Sequence, residues 1–413
     1  MNLLYFLLIK MYVAGIYLAS LLGNAKARLW IAGRKSVFDI LQKKLRPGEN
    51  RIWVHASSLG EFEQGRPVIE AIRSNDPEVK IVLTFFSPSG YEIRKNYQQA
   101  DYISYLPMDG PGNARHFIDI VQPRKVIFIK YDYWYYYLTV LHQRNIPVYL
   151  CSGIFRKDQL FFKWYGGWYR KLLSDFTMLF VQNKESVELL NKIGYSNVLH
   201  TGDTRFDRVV AIASQSANLE EIKTFVGTNR CLVVGSSWEP DEDLLATYIN
   251  ESTFDVKYII APHEIHSSHI ERIEKLILKK TVRYSGWQKQ VHMDVKVLII
   301  DNIGMLSSLY KYGQVAYIGG GFGKGIHNIL EAATFGKPVI FGPKYQKFQE
   351  AKDLIELGGA FTIGDYAGLK NRLDHLFTNP SLLNESGNIA SSYIRKNTGA
   401  TAQILSVMMV KKE

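Results

Sequence analysis

Short apolar runs separated by helical patterns recur along most of the chain, and no other feature restricts its fold as much. They fall at residues 51–56, 79–84, 102–105, 125–129, 147–151, 178–181 and 198–200, and again at 231–235, 257–261, 297–300, 315–318, 339–341 and 360–362. Most are continuously apolar, as strands buried on both faces must be, which is the pattern of parallel sheets covered by helices. Two consecutive βα sets imply an α/β protein with two doubly wound sheets. The length of 413 residues, more than one ordinary core holds, agrees. A polar stretch at 211–228 marks the join. The expected layout is an N-terminal segment over 1–30, a Rossmann-like domain over 31–215 and a second one over 216–413. Ligands on such sheets bind beyond the carboxyl ends of the strands, so a cleft between the halves is the expected site.

One βα unit concentrates ligand-binding signals. Residues 317–343 read YIGGGFGKGIHNILEAATFGKPVIFGP: a strand end, a glycine-rich turn containing Gly320 and Gly321, a helix expected over 326–335, a stop at Gly336 and a second strand. Glycines let the backbone turn tightly and approach a ligand. A helix N-terminus behind such a turn presents free N–H groups and a partial positive charge, which suits a phosphate. Asn328 and Glu331 are three apart and so share a helix face, where a carboxylate can accept both hydroxyls of a ribose. The plainer alternative is a glycine-rich turn that only packs.

Other strand ends add polar groups. After 51–56 comes Ser57-Ser58-Leu59-Gly60-Glu61, then a helix pattern through Arg73 whose Pro67 must lie in the first turn or kink it. Glu61 can take a proton from an attacking hydroxyl, or it can simply cap its helix. In the second half Ser236 and Ser237 follow a strand and open a helix, where they can hold a phosphate or carboxylate, or cap. Pro262 fixes the next strand's exit turn, and His263 beside it either reaches a donor group or lies at the surface. Asp301 reads most simply as an N-cap. Asp241-Glu242-Asp243 matches a D-x-D pattern, but it follows Pro240 at an expected helix start, where acids simply oppose the dipole. No metal is expected in the site.

Charge and the N-terminus indicate the partners. A formal net charge of +11 implies an anionic partner. With no zinc finger, RNP-type motif or long Lys/Arg run, nucleic acid is not expected. An acidic membrane or a phosphorylated substrate remains. Residues 3–22 carry one charge, Lys10, and are followed by Lys26, Arg28, Arg34 and Lys35. The stretch is long enough to span a bilayer, although a central lysine costs roughly 2.5–3.5 kcal/mol there. It either spans or lies in the interface with Lys10 snorkelling; the alternative is a buried helix of a soluble fold. No small-residue cleavage site follows it, and the basic flank places the rest of the chain on the cytoplasmic side. Residues 155–173, aromatic and basic together, either rest on an anionic bilayer and guide a lipid or pack as an ordinary amphipathic segment. Lys43, Lys44 and Arg46 extend the basic face. Cys151 and Cys231 sit in apolar runs without metal spacing, which suggests a reducing compartment.

Taken in order, these motifs resemble the 3-deoxy-D-manno-octulosonic acid (Kdo) transferases of lipopolysaccharide synthesis. HASSLGE at 55–61 looks like the family's H-A-x-S-x-G-E, and GDTRFD at 202–207 like G-N-x-K-F-D. GSSWE at 235–239 is similar to G-S-T-x-E, and DNIGMLSSLY at 301–310 to D-x-x-G-E-L-x-x-L-Y. The 319–343 run resembles G-G-S…G-x-H-N-x-L-E-x-A-x-x-G-x-P-V-I-x-G-P. The resemblance implies a GT-B glycosyltransferase that takes CMP-Kdo as donor and a lipid A precursor (lipid IVA) as acceptor, works at the inner membrane and needs no cofactor. It implies that Glu61 is the general base and that Ser236, Ser237, Pro262, His263, Gly320, Gly321, Asn328 and Glu331 bind the donor. Direct displacement with one base would invert the anomeric centre. Arg205, together with the second-half glycine turn, is the expected stabiliser of the leaving phosphate.

The chain also departs from the family. Where the family carries E-T-E-x-W-P, this sequence reads Lys130-Tyr131-Asp132-Tyr133-Trp134-Tyr135. An acidic position is basic here, and Asp132 keeps one carboxylate. Asp203 replaces an asparagine, Arg205 a lysine, and Trp238 a position often polar. Arg205 retains the charge but not its geometry. These changes leave the donor side better matched than the acceptor side. Two other classes are open: a GT-B enzyme using a UDP-sugar on another lipid, and a non-catalytic membrane-surface protein that kept the nucleotide fold.

Overall fold

The computed structural model describes residues 2–287 and 294–409. The chain divides into two compact units, Met1–Arg208 with Thr398–Glu413, and Val209–Asn397. The first unit holds β1 (Arg51–Ala56), β2 (Lys80–Phe85), β3 (Tyr102–Tyr105), β4 (Lys125–Ile129), β5 (Val148–Gly153), β6 (Met178–Val181) and β7 (Val198–His200). They form one parallel sheet in the order β3-β2-β1-β4-β5-β6-β7. The chain winds outward from β1 to β3 and then crosses to β4 on the other side of β1, so the topological switch lies between β1 and β4. All six residues of β1 are buried. On one face Trp53 meets Phe117, Phe128 and Tyr137 at ring-centroid distances of 4.9, 5.3 and 5.4 Å. On the other, Ile52 and Val54 pack with Phe62, Ile69 and Ile72 of the helix Leu59–Asn75. Pro67 lies inside this helix, beyond the first turn, and its missing N–H leaves a gap in the hydrogen-bond ladder.

The second unit holds β8 (Arg230–Ser237), β9 (Val256–Pro262), β10 (Thr281–Arg283), β11 (Val297–Ile299), β12 (Val315–Ile318), β13 (Val339–Phe341) and β14 (Ala360–Thr362). This sheet is also parallel, in the order β10-β11-β9-β8-β12-β13-β14. Its switch lies between β8 and β12. Leu232, Val234, Tyr258, Ile260, Val315 and Tyr317 line one buried face. The edge strand β10 was not expected from the sequence: it is three half-buried residues, too few to carry a periodic signal.

Two boundaries differ from the sequence reading. The units part at Arg208, within the helix Thr204–Ser214, not at 215. The C-terminal helix Ala400–Met408 returns to the first unit, although the sequence reading gave 216–413 to the second domain. Ile404, Leu405 and Met408 pack in the core beneath β1, and Asp207 accepts the N–H groups of Gly399 and Thr401 at 2.6 and 2.7 Å. The carboxylate satisfies donors at the helix's start and opposes its positive end; its partner lies 192 residues earlier in the chain, beyond any local pattern.

The helix Asn2–Leu21 has no buried residue and is long and apolar enough to cross a membrane. One side rests on the first unit: the Tyr5 hydroxyl donates to the buried Asp109 at 2.6 Å, and the Tyr5 ring meets Tyr135, Tyr136 and Trp168. Leu3, Leu4, Leu7, Leu8, Met11 and Leu18, at helical spacing, are exposed.

Candidate active site

In the first unit, polar groups gather where β1 and β4 end. Glu61 lies in the first turn of the helix Leu59–Asn75, just past β1. The Ser58 hydroxyl donates to Glu61 Oε2 at 2.6 Å, while Ser58 at the N-cap makes no side-chain capping bond. Glu61 does not reach back to the helix's first N–H groups, so the capping alternative does not describe it. Its other oxygen has no hydrogen-bond partner among the described residues. Such a carboxylate is oriented by one donor and still able to accept a proton.

A buried network fixes the loop from behind. The Ser57 hydroxyl donates to Asp132 Oδ1. Burial, aided by the Glu61 charge, pushes the Asp132 carboxyl well above the usual carboxylate range, against the hydrogen bonds that it accepts. His55, fully buried in β1, has its pKa pushed down to about 3 by burial. Its Nδ1 lies 3.1 Å from the Thr84 carbonyl and 2.8 Å from Thr84 Oγ1, and Nε2 accepts the Trp134 indole N–H at 3.2 Å. A neutral ring with its proton on Nδ1 satisfies both contacts. The motif's histidine and serine thus hold the loop that carries Glu61.

Lys130 follows β4 with φ +67°, a backbone region that non-glycine residues avoid. Its N–H donates to the Cys151 carbonyl at 2.8 Å. Burial lowers the pKa of its ammonium, repulsion from Arg205 adds to this, and Asp203 and Glu61 oppose it. Lys130, Arg205 and Glu61 therefore share one electrostatic neighbourhood. Arg205, the expected phosphate stabiliser, is tied to Asp203 Oδ2 through Nε at 2.8 Å and Nη2 at 2.7 Å. Asp203 also accepts the Arg205 N–H at 2.9 Å. The aspartate that replaces the motif's asparagine has become the partner of the arginine that replaces its lysine.

In the second unit the sequence-predicted donor residues collect around the β8–β12 switch. Ser236, with φ +53°, ends β8 half-buried, and its hydroxyl has no partner among the described residues. Ser237 differs: it is fully buried and its hydroxyl donates to Glu242 at 3.0 Å, so that side chain is structural. Pro262 closes β9, and the His263 N–H donates to the Ser237 carbonyl at 2.9 Å. Gly320 has φ +91°, and its N–H donates to Asp241 Oδ2 at 2.8 Å. A Cβ on Gly321 would lie 2.6 Å from the Gly342 backbone. The Gly320 N–H thus has an internal acceptor, and Gly321 is set by close backbone packing.

The helix expected over 326–335 is only Leu330–Thr334. The preceding residues bond across the loop instead of along a helix, with the Ile326 N–H donating to Lys344 O at 3.3 Å and the His327 N–H to Gly319 O at 3.1 Å. Asn328 therefore precedes the helix and does not share a face with Glu331. The two still touch: Asn328 Nδ2 donates to Glu331 Oε1 at 3.0 Å, and Asn328 Oδ1 accepts the Leu330 N–H at 3.1 Å. A helix of five residues also supplies less dipole than the sequence reading assumed.

Two features were not anticipated. Trp238, His263 and His327 form a ring stack, with His263 4.4 Å from Trp238 and 4.5 Å from His327 between centroids. Trp238 Nε1 donates to His327 Nε2 at 3.0 Å, and burial, with His263 next, pushes the His327 pKa down to about 4. Asp241, of the D-x-D match, is a buried brace: it accepts the Trp238 N–H at 3.0 Å, the Gly320 N–H at 2.8 Å and the Tyr317 hydroxyl at 2.8 Å. Its neighbour Glu242 is bound by Ser237, His269 and Arg272. The unusual Trp238 was the one local signal of the stack; nothing local marked Asp241 as a link between strands.

Comparison with known proteins agrees with this architecture. Residues 32–208 match the family model described as 3-deoxy-D-manno-octulosonic-acid transferase (kdotransferase). The 3-deoxy-D-manno-octulosonic acid transferase of Aquifex aeolicus is 26% identical over 355 residues, covering 83% of this chain and 91% of that protein. The enzyme of the same name from Haemophilus influenzae is 24% identical over 382 residues, covering 88% and 87%. Among solved structures, UDP-GlcNAc 2-epimerase from Neisseria meningitidis bound to UDP-GlcNAc aligns with a TM-score of 0.60 at 15% identity, covering 87% of this chain and 99% of that one. A glycosyltransferase from Rickettsia africae aligns with a TM-score of 0.57 at 12% identity, covering 89% and 100%. These likenesses establish the two-sheet GT-B fold. Over most of its length the chain is thus similar to Kdo transferases, and this likeness together with the GT-B fold supports a glycosyltransferase.

Proposed function

We propose that the protein transfers Kdo from CMP-Kdo to a lipid A precursor (lipid IVA) with inversion at the anomeric carbon. The observation that carries this reading is Glu61: a carboxylate at the carboxyl end of β1, beside the switch point, oriented by Ser58 and with one oxygen open. As base, Glu61 takes the proton of the acceptor hydroxyl while that oxygen attacks C2 of Kdo, and CMP leaves with the bonding electrons. Donor recognition is assigned to the second unit, with Ser236, His263, Asn328 and Glu331 as its polar contacts. No cofactor or metal enters the reading, and the full engagement of Asp241 and Glu242 within the protein supports that.

The reading places the enzyme on the cytoplasmic face of the inner membrane, against anionic lipid. The exposed leucine side of Asn2–Leu21 supports this, as do Trp164 and Tyr165, 90% and 59% exposed in the basic aromatic segment. Because the other side of the helix rests on the first unit, the interfacial placement is favoured over spanning.

The test is mass spectrometry of a lipid A precursor incubated with purified protein and freshly generated CMP-Kdo. One or more Kdo increments are expected with the wild type. Glu61→Gln is expected to lose at least a hundredfold in rate while binding CMP unchanged. No mass gain from folded, CMP-binding wild type would refute the acceptor. Full activity in Glu61→Gln would refute the base. A gain with a UDP-sugar in place of CMP-Kdo would refute the donor.

A further inference from the structure

The first unit contains a pair of cations that the proposed reaction has not used. Lys130 leaves β4 and Arg156 follows β5, adjacent strands of the parallel sheet. Both lean on one ring: Lys130 Nζ lies 5.1 Å from the Tyr131 centroid and Arg156 Cζ 6.0 Å from it. Neither has an ion-pair partner within 4 Å among the described residues. Arg156 and Glu61 are each close enough to Lys130 to act on its ammonium, Glu61 opposing and Arg156 adding to the effect of burial. Of the nearby carboxylates, Asp203 is engaged with Arg205 and Asp132 accepts from the Ser57 hydroxyl.

An ordinary solvated lysine would not be arranged this way. Lys130 is half-buried, so its ammonium has lost part of its hydration without gaining a counter-ion. Its backbone is held at φ +67°, a left-handed region that is strained for a non-glycine residue. Ser152, at the end of β5, is also left-handed, at φ +58°. Strain and an unpaired half-buried charge, beside a carboxylate with an open oxygen, describe a position waiting for an anion.

We infer that Lys130 and Arg156 form an anion subsite next to Glu61, which holds a carboxylate or phosphate attached close to the reacting atoms. The inference rests on the Kdo-transfer reading for the identity of that group, and two sources share the chemistry. The transferred sugar is a 2-keto acid whose carboxylate is bonded to the carbon under attack; a cation there offsets its repulsion of the incoming oxygen. The acceptor carries sugar phosphates. The site forms and breaks no bond; Lys130 fixes the anion and so the position of the reacting carbon or hydroxyl.

The experiment is calorimetric titration of the full-length protein in detergent with two soluble probes, free Kdo and the deacylated glucosamine disaccharide bisphosphate. Wild type is compared with Lys130→Gln and Lys130→Gly; the glycine variant suits the left-handed backbone and so removes the charge without adding strain. At least one probe is expected to bind the wild type and to bind each variant about tenfold or more weakly, the scale of one charge-assisted hydrogen bond. CMP affinity should stay within about twofold, which reports that the variants are folded. Selective loss of Kdo binding assigns the carboxylate of the transferred sugar, and selective loss of bisphosphate binding assigns the acceptor. Wild type binding neither probe, or variants binding both as well as wild type, would overturn the subsite. Transfer assayed in parallel separates the two readings: a wild type that fails to transfer Kdo yet binds an anion through Lys130 defeats the proposed reaction and leaves the subsite standing.

Discussion

Replacing Asp241 by alanine should destabilise the second unit by about 3–6 kcal/mol without creating or removing any dependence on metal. The carboxylate accepts from the Trp238 N–H, the Gly320 N–H and the Tyr317 hydroxyl at 3.0, 2.8 and 2.8 Å. Asp241 and Tyr317 are essentially sealed from water, at 1% and 0% exposure, and Gly320 is buried. Alanine strands all three donors. A buried donor left unmade costs roughly 1–3 kcal/mol; water can reach the half-buried Trp238 end, so the sum falls below three full penalties. Asp241→Asn keeps the shape and an acceptor oxygen but turns an N–H toward one of the donors, and about 1–3 kcal/mol is expected for one broken bond. Urea denaturation of both variants, followed by CMP titration at a concentration where the protein remains folded, measures this. A loss under about 1 kcal/mol in Asp241→Ala would refute the brace. Loss of wild-type transfer with chelator, recovered with a divalent ion and not recoverable in Asp241→Asn, would show that the D-x-D acids hold a metal after all.

Two further outcomes follow from the first unit. Asp207→Ala removes the acceptor of the Gly399 and Thr401 N–H groups. It should cost about 1–2 kcal/mol, as lost helix caps do, and open the C-terminal helix to limited proteolysis before the rest of the fold; equal proteolysis of wild type and variant would count against the tether. His55 enters the fold neutral with its pKa near 3, against about 6.5 unfolded. Between those values the unfolded chain binds more protons, so the stability that this residue contributes is full above about pH 6.5 and falls as the pH drops toward 3. The difference in unfolding free energy between wild type and His55→Gln should therefore shrink by about 2–3 kcal/mol from pH 6.5 to 4.5, and an unchanged difference would mean that His55 is charged in the fold.

Much of this protein was legible before its structure. The continuously apolar runs announced buried parallel strands, because a strand covered on both faces has no polar side to show. Their βα alternation announced two doubly wound sheets, and with them the strand ends where Glu61, Ser236 and His263 lie. The exposed N-terminal helix was likewise visible, since its apolar length has few other uses. What the sequence could not determine were contacts made between residues far apart in the chain. Ser237 looked like a ligand contact until Glu242 proved to hold its hydroxyl. Gly320 looked like a phosphate donor until Asp241 proved to take its N–H, and Arg205 looked free until Asp203 proved to grip it. The helix after the glycine turn shortened because Ile326 and His327 found acceptors across the loop, and the last helix changed units because Asp207 caps it. Periodicity and composition report which surfaces must be buried, a property of each segment by itself. Which donor meets which acceptor is decided only when the sheets close, because a hydrogen bond is directional and its partner can lie anywhere in the chain.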